Sequence, residues 1–208
     1  MIDFLFLDKG ICFSCKKETI YKYNLCKDCL DKLDFTGNKF KLSGNTCYSL
    51  YFYNDFMKKL IADYKFTRNT SLKEVFSDMI YRFLVDKNLT DFDYILASPS
   101  SKKTVNKRGF DHINLIVDDF SDKLGIKKLD EFKKIKNTKS QHTLNRLKRS
   151  ENLKGAFKLD KDIKGSRILL IDDLITTGNT ALEIIKELKN KGASEVVTLA
   201  ICSERSIN

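Results

Sequence analysis

Two adjacent carboxylates and a threonine-rich turn are the residues of this sequence best suited to chemistry. The apolar run Ile168–Ile171 is followed by Asp172 and Asp173, and the turn Thr176–Thr180 begins after two intervening residues. A continuous apolar run is typical of a central parallel strand, which would place both acids at the ligand-binding edge of a sheet. Neighbouring carboxylates there accept hydrogen bonds from a vicinal diol, and they also suit a nearby Mg²⁺.

The turn Thr176–Thr180 has the composition of an anion pocket. Gly178 permits a backbone conformation that other residues resist, and the threonine hydroxyls converge with the first N–H groups of the following helix. The segment lacks the sequence signatures of a P-loop and of a dinucleotide-binding fold. A diol-binding acid pair beside a monophosphate loop predicts a ribose 5-phosphate ligand, and the combination favours this interpretation over a merely capped helix.

A second candidate site consists of two Cys-x-x-Cys pairs separated by ten residues. They are Cys12, Cys15, Cys26 and Cys29. Four thiolates so spaced can surround one Zn²⁺ tetrahedrally and leave no open position, so the metal is predicted to be structural. An iron–sulfur cluster remains the alternative at this stage. The other two cysteines, Cys47 and Cys202, lie in apolar runs and are predicted to be core residues.

The charge balance indicates attraction to polyanions. Lysine and arginine number 38 against 28 acidic residues, which gives a formal charge of +10. Phosphate esters, nucleic acid and anionic membrane surfaces are the partners that such a field attracts. Tyr21 and Tyr23, with Lys16, Lys17 and Lys22, form an aromatic and basic tip that could stack nucleobases. A solvated basic surface explains the same residues equally well.

The elements that must position these residues follow from hydrophobic periodicity. Strands are predicted at Thr46–Tyr53, Asp93–Ala97, Lys127–Phe132, Arg167–Ile171 and Glu195–Cys202. Helices are predicted at Asp55–Tyr64, Leu72–Val85, Phe110–Leu124 and Asn179–Lys191. The last strand, helix and strand make a βαβ unit, so we expect an α/β fold with a mostly parallel sheet flanked by helices.

Three further segments bear on domain organisation, exposure and location. Phe35–Lys39 has the composition of a linker, which divides the chain into a module at 1–35 and a larger domain at 36–208. Asn137–Asn152 is polar and is expected to be exposed, with His142 as a surface histidine. Met1–Leu7 is too short for a signal peptide or a membrane span, and a cytoplasmic location without membrane insertion is therefore expected.

Six short segments form an ordered set of motifs along the chain: Ser98–Ser100, Lys107–Asp111, Gln141 with Leu144, Arg149 with Asn152, Gly155–Phe157 and Ile168–Thr180. Taken together they resemble the motifs of the ComF/GntX family of type I phosphoribosyltransferase-like proteins, with Ile168–Thr180 as the 5-phosphoribosyl-1-pyrophosphate (PRPP) motif. The resemblance covers nearly the whole chain and implies a type I phosphoribosyltransferase fold with a small N-terminal zinc-binding module of four cysteines. The chain departs from the family pattern at Leu96–Pro99, where Pro-Val-Pro is usual, and at Asp111 and His112, where Asn-Gln is common.

The resemblance also implies a role for each matching residue. Asp172 and Asp173 would hold the ribose hydroxyls and organise Mg²⁺, and the 5-phosphate would be cradled by Thr176, Thr177, Gly178, Asn179 and Thr180. The pyrophosphate loop would be Ala97–Ser101, including Ser98, Pro99 and Ser100, with Lys102 or Lys103 nearby, and Arg108 would reach the leaving-group oxygens. The implied reaction is substitution at the anomeric carbon through an oxocarbenium-like transition state.

Three functions remain open from the sequence. The first is an enzyme that transfers a phosphoribosyl group from PRPP with Mg²⁺. The second, which the resemblance implies, is a protein of natural competence and DNA uptake that binds single-stranded DNA and contacts the DNA-uptake machinery. The third is a PRPP sensor that catalyses nothing. The acceptor stays unidentified, because the residues of Asn137–Asn152, where the family carries a hood over the acceptor, do not specify a base.

Overall fold

The computed structural model describes residues 10–67, 69–136 and 153–204 of the 208-residue chain. The strands are β1 (Phe35–Leu42), β2 (Asn45–Phe52), β3 (Tyr94–Ala97), β4 (Lys127–Lys128), β5 (Phe132–Lys134), β6 (Phe157–Leu159), β7 (Arg167–Ile175) and β8 (Glu195–Ser203). The helices are α1 (Lys27–Leu30), α2 (Asp55–Phe66), α3 (Leu72–Asp86), α4 (Lys102–Arg108), α5 (His112–Leu124) and α6 (Asn179–Asn190). None of these described helices is long and apolar enough to cross a lipid bilayer.

Six strands form one sheet in the order β1-β2-β8-β7-β3-β4. Every neighbouring pair is parallel except β1 and β2, which are antiparallel. Strand β7 lies inside the sheet, with Ile168 opposite both Tyr94 and Val196. Helices cover both faces, which explains why Ile168–Ile171 is buried throughout. The predicted α/β class, with a mostly parallel sheet flanked by helices, is confirmed.

The two faces of the sheet belong to different hydrophobic cores. Leu169 and Ile171 pack with α2, α3 and α5 on one face, whereas Ile168 and Leu170 pack with α6 and the β5–β6 pair on the other. This alternation is the period of two that any strand imposes.

The segment Phe35–Lys39 was predicted to be a linker, and that prediction is wrong. These residues are the first part of β1, whose Lys39 pairs with Tyr48 of β2. The pairing is irregular between Phe35 and Asn38, where Gly37 has a φ of 53°. Backbone pairing with β2 outweighs the turn-like composition, because an edge strand tolerates a bulge and a glycine. The division at residues 35 and 36 itself stays a prediction.

Other sequence predictions missed short elements, gave one strand incorrectly, or fall on residues that the structure does not describe. Helix α4 and strand β6 were not predicted, because each is too short to show periodicity. The strand expected at Lys127–Phe132 is divided between β4 and β5, which lie in different sheets. The polar segment Asn137–Asn152, with His142, lies outside the described residues.

The cysteine-rich module packs directly against α2 and α3. Cys12 and Leu25 are fully buried in the same hydrophobic core as these helices. At its edge, the Asn24 amide donates to a carboxylate oxygen of Asp78 at 3.2 Å, and Asn69 donates to the Phe13 carbonyl at 3.3 Å. The module is therefore docked on the larger domain through both apolar and polar contacts.

Candidate functional site

A cleft of about 500 Å³ opens where β3 and β7 end. Ligands of open α/β sheets bind at this edge. Eight of the residues singled out in the sequence line it, namely Ser98, Pro99, Ser100, Arg108, Asp172, Asp173, Thr176 and Thr180. The fold therefore brings together two segments, 98–108 and 172–180, that are far apart in the chain.

Asp173 is held as a carboxylate by two basic side chains. The Lys65 ammonium on α2 donates to its Oδ2, and Nε2 of His112 on α5 lies 3.5 Å from the same oxygen. Burial alone would favour the neutral acid, but Lys65 and His112 keep the pKa of Asp173 well below its usual range. Asp173 is thus a fixed anionic acceptor at the floor of the cleft.

Asp172 has the opposite electrostatic environment, although it is the next residue. Its side chain is buried, and its Oδ1 accepts a hydrogen bond from the Asp173 N–H at 3.0 Å. Burial and the neighbouring charge of Asp173 together raise the pKa of Asp172 to about 8. At neutral pH the pair therefore consists of one carboxylate and one carboxylic acid, which can accept from one hydroxyl and donate to another.

The turn after β7 forms a small recess beside Asp172. Residues Thr176–Ala181 line it, and α6 begins there with Gly178 as its N-cap residue. Gly178 has a φ of 79°, and a Cβ atom at this position would lie 2.6 Å from two Leu42 methyl carbons. A helix start exposes N–H groups that lack intrahelical partners, and the dipole favours negative charge there. The recess has the components of the predicted phosphate pocket.

The loop after β3 faces the acid pair across the cleft. The Ser98 N–H donates to the Ile171 carbonyl at 2.8 Å, which ties the loop to β7. Ser101 caps α4 by accepting the Thr104 N–H at 3.2 Å, and a carboxylate oxygen of Asp111 accepts the Ser100 N–H at 3.4 Å. Lys102 is exposed on the first turn of α4 and is not among the lining residues, so its role stays a prediction.

Three basic cleft residues, Lys65, His112 and Lys134, were not predicted as site residues. Lys65 lies on an amphipathic helix whose pattern gives no sign of function. His112 is buried against Tyr64 and lies next to Arg108. Burial lowers the pKa of His112, and it also lowers the pKa of Lys134, which approaches Asp172 from β5. Only His112 had a sequence signal, since it directly follows the Lys107–Asp111 motif.

The four sulfur atoms of Cys12, Cys15, Cys26 and Cys29 lie within 4.8 Å of one another. Tight turns bring each pair together, with the Lys16 N–H donating to the Cys12 carbonyl and the Leu30 N–H to the Cys26 carbonyl. This arrangement confirms that the cysteines converge and that they can hold one metal ion.

The aromatic and basic tip of the module is smaller than the sequence suggested. Tyr21 is 66% exposed, but Tyr23 packs against the core with Lys22 4.7 Å and Arg82 5.9 Å from its ring centre. Lys16 lies 5.3 Å from the ring centre of Phe13. Tyr21 is therefore the aromatic side chain of this tip that is open to a partner.

Comparisons with known proteins agree with this architecture. The phosphoribosyl transferase domain family matches residues 104–206. The DNA utilization protein YhgH of Escherichia coli K12 is 26% identical over 200 residues, which cover 94% of this chain and 85% of that protein. Competence protein F of Haemophilus influenzae is 28% identical over 201 residues, or 90% and 87% of the two chains. Competence protein ComFC of Streptococcus pneumoniae is 28% identical over 158 residues, or 74% and 66%.

By these similarities the chain is a phosphoribosyltransferase-like protein that resembles the ComF proteins. Among solved structures it is similar to adenine phosphoribosyltransferase of Saccharomyces cerevisiae, with 17% identity, a TM-score of 0.45, and coverage of 85% and 86% of the two chains. In this chain the cleft and the four-cysteine cluster are separate sites, because the module packs on α2 and α3 while the cleft opens at the strand ends.

The raised pKa of Asp172 predicts a pH effect on the stability of this ComF-like protein. In the unfolded chain Asp172 ionises near 3.8, whereas in the folded protein it keeps its proton up to about pH 8. The unfolded state therefore binds fewer protons in this window, and the free energy of unfolding falls as pH rises, by at most about 1.4 kcal/mol per pH unit. Asp172→Asn should lack this fall.

The wild-type protein and Asp172→Asn are compared by denaturant unfolding at a series of pH values. His112, whose lowered pKa gives stability the opposite slope below its ordinary pKa of 6.5, is present in both and largely cancels in the difference. A difference that is constant with pH would show that Asp172 is ionised in the folded protein at neutral pH.

Proposed function

We propose that this protein binds PRPP together with Mg²⁺ in the cleft between β3 and β7. The carrying observation is that the acid pair, the Gly178 recess and the loop Ser98–Ser101 meet in a single cleft. The recess suits the 5-phosphate, and the acids suit the ribose hydroxyls. The loop and Arg108, which lie on the opposite wall, suit the pyrophosphate. Mg²⁺ would neutralise charge on the pyrophosphate when it is bound.

The same geometry supports transfer of the phosphoribosyl group as the reaction. The bond between the anomeric carbon and the pyrophosphate oxygen would break as an acceptor supplies the new electron pair, and pyrophosphate would leave with the old one. Arg108 would stabilise negative charge on the leaving group, while the carboxylate of Asp173 would favour positive charge developing on the ribose. These residues position and stabilise charge, and none of them has to form a covalent intermediate.

Calorimetric titration with PRPP and Mg²⁺ tests the proposed ligand. Wild-type protein should bind, and Asp173→Asn should raise Kd by roughly 10- to 100-fold, because a hydrogen bond to a charged group is worth about 1.5–3 kcal/mol. Asp86→Asn is the control, since Asp86 is exposed at the end of α3. Absence of wild-type binding at millimolar PRPP would contradict the proposal.

A PRPP sensor and a transferase differ in one measurement. Both bind PRPP, but only a transferase releases pyrophosphate when an acceptor is supplied. Release measured against nucleobases, amines and nucleic acid would establish the enzyme. Tight binding of PRPP with no release against any acceptor would instead identify a regulatory ligand, which is the alternative we retain.

We also propose that the protein acts in the cytoplasm in natural competence and DNA uptake, through contact with single-stranded DNA. Support comes from the names of the relatives, one a DNA utilization protein and two competence proteins. The net charge of +10 and the exposed Tyr21 ring beside the basic tip are consistent with this role. We further propose that the four cysteines hold Zn²⁺ as a structural ion.

The DNA proposal predicts weaker binding of an oligothymidylate when Tyr21 is replaced. Tyr21→Ala should raise Kd by roughly 5- to 100-fold, because stacking of one base is worth about 1–3 kcal/mol. Binding is measured by fluorescence anisotropy at several salt concentrations, and affinity should fall steeply as salt rises. Phe35→Ala is the matched control, since Phe35 is 62% exposed on β1 against 66% for Tyr21. If the two substitutions changed Kd for the oligothymidylate equally, the module would not be part of the DNA-binding surface.

A further inference from the structure

The junction between α4 and α5 concentrates polar atoms that lack hydrogen-bond partners. Among residues 10–67, 69–136 and 153–204, five buried side-chain N or O atoms are unpaired, and three of them are Arg108 Nε, Asp111 Oδ1 and His112 Nε2. Buried polar atoms are normally paired, so a group of them beside a cleft indicates a place prepared for another group. Arg108 and His112 both line the cleft.

The chain makes two turns here that bring Arg108 and His112 together from different helices. Gly109, with a φ of 92°, ends α4 directly after Arg108, and Asp111 is the N-cap residue of α5. Arg108 Nη1 lies 2.5 Å from His112 Nδ1 as a result. The backbone of His112 is fixed as well, because the buried Tyr64 hydroxyl donates to its carbonyl at 2.7 Å.

The contact with Arg108 determines which ring nitrogen of His112 carries the proton. A guanidinium has only donors, so the nitrogen 2.5 Å from it must be the acceptor. Nδ1 is therefore unprotonated, and a neutral imidazole then carries its proton on Nε2. That N–H lies toward Asp173 Oδ2, at 3.5 Å. Lys65 on α2 and Asp111, 3.9 Å from Nδ1, are the other charged groups at the ring.

We propose that His112 is a positioning residue that holds the Arg108 guanidinium with Nδ1 and faces the Asp173 carboxylate with Nε2–H. The ring lies between these two opposite charges, so it keeps the guanidinium from pairing with Asp173 and leaving the pyrophosphate wall of the cleft. His112 would thereby set the separation between the pyrophosphate-binding and ribose-binding ends. The role in binding rests on the proposed PRPP site, whereas the hydrogen-bond arrangement does not.

Ring-nitrogen NMR tests the arrangement without any ligand. The chain has two histidines, so ¹⁵N-labelled imidazoles give two sets of resonances, and His142→Ala assigns them. Wild-type His112 should show an unprotonated Nδ1 and a protonated Nε2. In Arg108→Ala the Nδ1 resonance should move, because its donor is lost. A protonated Nδ1, or an unchanged Nδ1 resonance in Arg108→Ala, would overturn the proposal.

Substitutions that keep or remove the donor and acceptor pair test the consequence for binding. His112→Leu has similar bulk and no polar atom, whereas His112→Gln retains one acceptor and one donor. Titration with PRPP and Mg²⁺ should give about a tenfold higher Kd for His112→Leu and at most about a threefold change for His112→Gln. In the Arg108→Ala background, His112→Leu should raise Kd by about threefold or less, because part of its effect runs through Arg108.

The outcomes separate this inference from the proposed function. If wild-type protein binds no PRPP but shows the expected tautomer, the proposed ligand is wrong and the hydrogen-bond arrangement stands. If wild-type protein binds PRPP, but His112→Gln binds it as weakly as His112→Leu and both variants retain the wild-type melting temperature, the positioning role is wrong. Additive effects of Arg108→Ala and His112→Leu would contradict the role in the same way.

Discussion

Removal of the proposed Zn²⁺ from the four-cysteine cluster is expected to unfold residues 10–34 and to lower the melting temperature of the whole chain. In the described residues the module has little regular structure beyond the four-residue α1 and two isolated β-bridges, so the proposed Zn²⁺ would supply most of its folding free energy. Zn²⁺ binding contributes about 10–16 kcal/mol in small zinc modules. Cys12 and Cys26 are buried in the core shared with α2 and α3, so loss of the module would expose that core to water.

The experiment combines metal analysis with thermal unfolding. One zinc ion per chain is expected in wild-type protein, and Cys29→Ser should lose it together with more than about 4 kcal/mol of stability. Cys47→Ala is the matched control, because Cys47 is a buried cysteine of β2 outside the cluster. It should retain the zinc. An unchanged melting temperature after zinc is removed by a chelator would refute a structural role for the metal.

Gly178→Ala is expected to abolish most of the PRPP affinity while leaving the chain folded. The new Cβ would lie 2.6 Å from the Leu42 methyl carbons, and the φ of 79° would itself cost an alanine about 1–2 kcal/mol. Relief of both strains should move the N-cap of α6, and with it the recess that we propose binds the 5-phosphate. We expect Kd for PRPP to rise by more than about tenfold and the free energy of unfolding to fall by about 1–3 kcal/mol. Calorimetry and denaturant unfolding provide the two values.

Substitution of a second glycine, Gly165 just before β7, distinguishes the effect of backbone strain from the effect of a changed recess. Gly165 has a φ of 77°, but a Cβ there would meet nothing within 4 Å. Gly165→Ala should therefore show only the backbone cost, with no change in Kd for PRPP. Leu42→Ala combined with Gly178→Ala should recover part of the affinity, since it removes the close contact and not the backbone strain. Equal Kd values for Gly178→Ala and Gly165→Ala would show that the recess does not bind the phosphate.

The contiguous parts of the two sites could be predicted from the sequence. Strand β7, the acids that follow Ile171, the turn at Gly178 and helix α6 form one uninterrupted segment, and their order already specifies a strand, a turn and a helix start. The spacing of the Cys-x-x-Cys pairs likewise predicted the convergence of four sulfur atoms. Such features depend on local geometry, and local geometry is what residue order encodes.

Only the tertiary structure decided how the two acids differ and what holds them. Asp172 and Asp173 are chemically identical in the sequence, yet burial raises the pKa of one while Lys65 and His112 lower the pKa of the other. Lys65 comes from 108 positions away along the chain. Leu42 likewise lies close to Gly178, and it comes from the edge strand β1, whose first residues were predicted to be a linker. Charge state and close approach depend on burial and on partners distant in sequence, which neither motif nor periodicity specifies.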